Sequence, residues 1–70
     1  MGQYRAVLHV NGKPVETQEW TDQFIALGKF DFFTLSESHR DDAVVFLEKR
    51  EGENVTIDRT WSKGNGETER

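Results

Sequence analysis

The chain has 70 residues, 34% of them hydrophobic, with thirteen acidic against nine basic side chains for a formal net charge of −4, and it has no cysteine. A chain of this length hides only roughly 60% of its extended surface on folding, which limits it to one small core with a stability of about 3.5–10 kcal/mol and no disulfide to support it. The missing cysteines exclude a secreted disulfide scaffold, and the acidic balance has the wrong sign for a general nucleic-acid binder, which needs a basic face to displace counterions from phosphate.

The opening MGQYRAVLHV lacks the long apolar run of a signal peptide or membrane span, so a cytoplasmic protein is expected. Asn11-Gly12 separates two strand-like runs, QYRAVLHV and PVETQEW, and predicts a two-residue hairpin turn of the kind that needs positive φ at both positions. With that loop, Val10 opposes Lys13, Leu8 opposes Val15, Ala6 opposes Thr17 and Tyr4 opposes Glu19. Tyr4, Ala6, Leu8, Val10 and Val15 then share the core side, while Arg5, Val7, His9, Glu16, Gln18 and Trp20 lie opposite.

A helix is expected next, capped by Thr21, with Asp22 at the positive end of its dipole and Trp20 and Ile25 spaced as a hydrophobic staple, running to about Ser38. At about 100° per residue, its apolar side chains divide into two arcs: Phe24, Ile25, Phe32 and Leu35 in one, and Ala26, Leu27, Phe30 and Phe33 in the other. One sheet can cover only one arc. Gly28 falls inside this pattern and predicts either a close backbone approach or a break before FDFFTL.

DDAVVFLEKR and NVTIDRTW flank the turn-forming EGE and predict a second hairpin. A two-residue loop would place Phe46 against Ile57, and a three-residue loop would place Leu47 against Ile57. Either leaves one apolar pair of AVVFL facing away from the core. The polar stretch at residues 62–70 is expected to stay disordered, leaving residues 1–61 as one small domain. The resulting expectation is an α+β fold: a two-layer β-β-α-β-β arrangement with a four-stranded, mainly antiparallel sheet in the order 2-1-3-4 and one helix on one face.

The candidates for chemistry are few. SESHRDD brings Ser36, Ser38, His39, Asp41 and Asp42 together in sequence, but a nucleophilic triad is assembled in space from distant segments, and neighbours at a helix end point in different directions. That segment reads as a solvated helix end, with His39 and Arg40 near the negative pole of the dipole. His39 with Asp41 and Asp42 has no second ligand pair at a recognisable spacing, and His9 stands alone on a strand, so no metal is expected. No phosphate-cradling loop, cofactor motif or catalytic constellation is present, and the expectation is a non-enzyme without a small-molecule substrate, membrane or direct nucleic-acid partner.

Two partner surfaces remain. The first is apolar: Trp20, Phe24, Phe30, Phe32, Phe33, Phe46 and Trp61 exceed what one helix-on-sheet contact buries in so short a chain, and a surplus of aromatics marks interfaces. With the second arc taken as the outward one, Ala26, Leu27, Phe30 and Phe33 are the expected protein interface, for a homodimer or a larger partner. The alternative is electrostatic. Glu16, Glu19, Asp22, Asp31 and Glu37, with only Lys29 among them, form an acidic stripe that could block a basic nucleic-acid-binding site. By size and charge alone, this stripe is similar to small acidic inhibitors of phage or mobile-element type, anti-CRISPR proteins among them.

Overall fold

In this computed structural model, which describes residues 2–64 and 66–69, the strands are β1 (Gln3–Val10), β2 (Lys13–Thr17), β3 (Ala43–Glu51), β4 (Asn54–Ser62) and β5 (Gly66–Glu69), and the helix is α1 (Gln23–Ser36). The strands pair antiparallel in the order β2-β1-β3-β4-β5, and α1 covers one face of the sheet. The α+β architecture and the order of the first four strands are those expected from sequence. Among the described residues, no helix is long and apolar enough to cross a membrane.

The first turn forms as its residues require. Asn11 and Gly12 take φ values of 55° and 80°, the left-handed conformation that Asn and Gly reach at least cost. Val10 opposes Lys13, but a bulge between Leu8 and His9 shifts every later pair: Leu8 lies against Glu16 and Val7 against Thr17. Val15 is the residue displaced, and it is exposed instead of joining the core side. β2 is an edge strand, where a bulge and a proline are both tolerated and hinder pairing with another chain. Gln18 continues the edge by other means, donating its backbone N–H to the Ala6 carbonyl at 3.0 Å and accepting the Ala6 N–H on its side-chain oxygen at 3.0 Å.

The second hairpin follows neither expected register. Glu51 pairs with Asn54, so the loop is Gly52-Glu53, with Gly52 at φ 60°. Ile57 faces Glu48, and a bulge between Leu47 and Glu48 then sets Leu47 against Arg59 and Val45 against Trp61. The shift brings Trp61 onto the helix side, packed against the core. The expected apolar pair still faces away; it consists of Val44 and Phe46.

The polar tail is not wholly disordered, contrary to expectation: Ser62 ends β4, and Gly66–Glu69 pairs along β4 from Ser62 to Arg59. Asn65 and Arg70 lie outside the described residues. Low apolar content does not prevent pairing here, because a strand on an open edge is held by backbone hydrogen bonds and needs no buried side chain. Gly66, which opens β5 opposite Ser62, has φ 70°.

Asp22 rather than Thr21 caps the helix, its Oδ1 accepting the Ile25 N–H at 2.9 Å. Thr21 is used by the sheet, exchanging backbone hydrogen bonds of 2.7 and 2.8 Å with Tyr4. Moving the cap by one residue removes the Trp20–Ile25 staple. Trp20 turns instead to the far side of the sheet, where the guanidinium carbons of Arg5 and Arg50 lie 4.3 and 4.6 Å from its ring centroid. The helix runs unbroken through Gly28 and ends at Ser36, short of Ser38, with the Glu37 N–H closing on the Phe33 carbonyl at 2.9 Å.

The core is one cluster: Ala26, Phe30 and Phe33 from α1, Ala6 and Leu8 from β1, and Ala43, Val45 and Leu47 from β3, with Tyr4, Val10, Leu27 and Trp61 around it. Three of its members are alanine, which lets the helix backbone come close to the sheet while Phe30 and Phe33 fill the space on either side. Phe30 is fully enclosed. We expect Phe30→Ala to lower the urea-unfolding free energy by about 3–5 kcal/mol, most of the stability available to a chain this small. Phe24→Ala, at an exposed position, should change it by less than about 0.5 kcal/mol.

Candidate functional site

The seat of α1 decides which apolar arc is free, and the answer reverses the sequence-based assignment. Ala26, Phe30 and Phe33 are 0%, 0% and 2% exposed and Leu27 packs against the core, so these four cannot be the docking face. The opposite arc is the outward one, with Phe24 86%, Leu35 77%, Phe32 57% and Ile25 53% exposed. The two arcs are equally apolar along the sequence. In the fold, the arc containing Ala26 is the one seated over Ala6 and Ala43.

Around the helix at about 100° per residue, the outward arc runs Phe24, Leu35, Gly28, Phe32, Ile25, with Asp31 on one border and Lys29 on the other. Phe32 and Phe33 meet at a ring-centroid distance of 6.2 Å, and the Lys29 ammonium lies 4.9 Å from the Phe32 ring and 5.0 Å from the Phe33 ring. Lys29 therefore covers one edge of the arc without hiding it. Gly28 is at the centre; a Cβ built there would meet nothing within 4 Å, so the expectation of a close backbone approach is not met inside the chain.

The four side chains leave on the order of 400–500 Å² of apolar surface in water, comparable to the largest patch on an ordinary small protein. Its complete burial would be worth on the order of 10 kcal/mol before the losses of association are subtracted, as much as the folding stability of the chain itself.

The open face of the sheet is a different surface. Phe46 packs edge-on against His9 with centroids 4.9 Å apart, and Val7, between Arg5 and His9 on β1 and opposite Phe46 and Thr17, is 3% exposed. Trp20, Arg5, Glu48, Arg50 and Gln3 close the other end: Arg5 Nε donates to Glu48 Oε1 at 2.7 Å, and Arg50 Nη2 donates to Gln3 Oε1. This face shelters Val7 with aromatic rings and long side-chain stems, while Val55 and Ile57, which share the face through their pairing with Arg50 and Glu48, stay 49% and 37% exposed. Val44 and Phe46 are accordingly half-buried.

The acidic stripe is dispersed. Asp22 is committed to the helix cap, and Glu37 lies 3.7 Å from Arg40. Glu16 projects from the helix side of β2, Glu19 is exposed in the connection to α1, and Asp31 borders the apolar arc. In SESHRDD, Arg40 Nε donates to Asp42 Oδ1 at 3.2 Å, and Lys63 lies 3.5 Å from Asp41 and 3.4 Å from the His39 carbonyl oxygen. Both aspartates are thus turned toward cations at an exposed helix end.

Comparison with protein-family models, curated proteins and solved structures found no match to this chain.

The hydrogen bond from Arg40 holds the Asp42 carboxyl below its ordinary value of 3.8. A carboxyl lowered in the folded state stabilises above its unfolded midpoint, and that contribution disappears as pH falls through the lower folded midpoint. An NMR titration should therefore place Asp42 below the ordinary value, and Arg40→Gln should return it there.

Proposed function

We propose that this chain is a non-enzymatic protein–protein interaction module that binds through the outer face of α1, by self-association or to a larger protein. One observation carries the reading: Phe24, Ile25, Phe32 and Leu35 form one outward stripe on a helix whose opposite stripe already holds the core together. A helix at the surface of a folded domain needs one apolar stripe to stay in place. A second, equally apolar stripe does nothing for the isolated fold, and its exposure favours association.

An inhibitor acting by charge would need its carboxylates free and on one side. Asp22 and Glu37 are engaged within the fold, which favours the apolar face over the acidic one as the binding surface. An apolar face also predicts salt-tolerant binding, because screening acts on exposed charges and leaves hydrophobic burial largely intact.

The test is affinity capture from cell extract with the native chain and with a Phe24→Ser/Phe32→Ser variant, each at about 50 and about 500 mM salt. The native chain should retain its partner at both concentrations, and the variant, with an unchanged far-UV circular dichroism spectrum, should lose it. Equal capture by the variant removes the helix face as the binding surface. Loss of the partner at high salt would instead favour the acidic reading.

A further inference from the structure

We infer that the occupant of this face is a second copy of the chain, packed helix against helix with the two α1 helices parallel. The inference rests on the proposal that the outer face of α1 is a binding surface, and three features of the face point to its own copy. Ile25, Gly28, Phe32 and Leu35 follow one another at spacings of three, four and three residues, the period that keeps a seam facing a partner helix. The seam is flanked by Phe24.

Its centre is a glycine with no role in the isolated fold. Gly28 is exposed, its helix continues on both sides, and no atom would obstruct a side chain there. Glycine is the poorest residue for a helix interior apart from proline. A missing side chain becomes useful when another backbone comes close, and a two-fold axis passing near Gly28 brings two such gaps together.

The borders then select a second copy over an unrelated partner. Lys29 lies on one side of the seam and Asp31 on the other, and among the described residues neither has an ion-pair partner. Two-fold symmetry with parallel helices sets the basic border of each copy against the acidic border of the other. An antiparallel pair would set Lys29 beside Lys29. The patch is thus self-complementary in shape and sign, as a two-fold interface requires. Both copies together would bury on the order of 1,000 Å² of apolar surface, the lower bound for a specific interface, so a weak, concentration-dependent dimer is expected.

Sedimentation velocity on the full chain between about 5 µM and about 1 mM should show a monomer becoming a dimer, with a dissociation constant in the micromolar range. Phe32→Ser should abolish the dimer. Gly28→Ala should act in opposite directions on two readouts: the dissociation constant rises by about tenfold or more, while the thermal midpoint of the dilute monomer also rises, because alanine favours the helix. Since the chain has no cysteine, a nitroxide on Ser38→Cys is a unique label; in the dimer it should give an inter-label distance below about 20 Å for parallel helices and above about 30 Å for antiparallel ones.

A dimer that Phe32→Ser and Gly28→Ala leave unchanged, or a long inter-label distance, overturns the inference. So does a monomer at about 1 mM, the upper end of the concentration range. That last result does not decide the broader proposal: if the Phe24→Ser/Phe32→Ser variant still loses a captured partner, the face binds another protein, and if capture is unaffected, both readings fall.

Discussion

Everything in this molecule depends on how α1 sits on the sheet. Ala26 joins Ala6 and Ala43 in the buried cluster, and three such small side chains let helix and sheet approach closely enough for Phe30 to be enclosed entirely. Because one helix forms the whole second layer, its orientation about its own axis determines both the core and the surface. Burying Ala26, Phe30 and Phe33 turns Phe24, Ile25, Phe32 and Leu35 into solvent. No rotation hides both arcs, since a helix resting on one sheet has only one side against it.

The two faces of the sheet deal with their apolar residues differently. On the helix side, Val45 and Leu47 are covered by α1. On the open side there is no second layer, and Val7 is sheltered by its neighbours on the same face: His9 and Phe46 toward one end, and the Trp20, Arg5, Glu48 and Arg50 group toward the other. The stems and rings of that group keep polar groups in contact with water while they cover carbon. Thus the open sheet face shelters Val7 but leaves Val55 and Ile57 exposed, whereas the outer helix face leaves four large apolar side chains in water.

Several parts of the fold were legible in advance because their causes are local. Asn11-Gly12 specifies its turn through backbone stereochemistry, so the first hairpin was readable to the residue at its tip. The order β-β-α-β-β and the adjacency of the first four strands follow from short connections and antiparallel pairing. The registers beyond the tips were not legible. Bulges near Val15 and Asp58 each displace the pairing by one residue, and a one-residue slip reverses which face a side chain takes. Val15 changed sides for this reason, and the bulge in β4 set Trp61 on the helix side. The cap moved from Thr21 to Asp22 because Thr21 was claimed by a bridge to Tyr4, a partner many residues away that no local rule anticipates.

By itself, the amino-acid sequence determined that α1 carries two apolar arcs, that one small sheet could cover only one of them, and that the other would therefore face outward. Only the tertiary structure decided which arc that is. Hydrophobicity is nearly the same in both and each holds one small residue, Ala26 or Gly28, so the choice depends on what the opposing sheet presents. The alanines of β1 and β3 lie against the arc of Ala26, Phe30 and Phe33, and the arc with Gly28 in its middle is left to face outward.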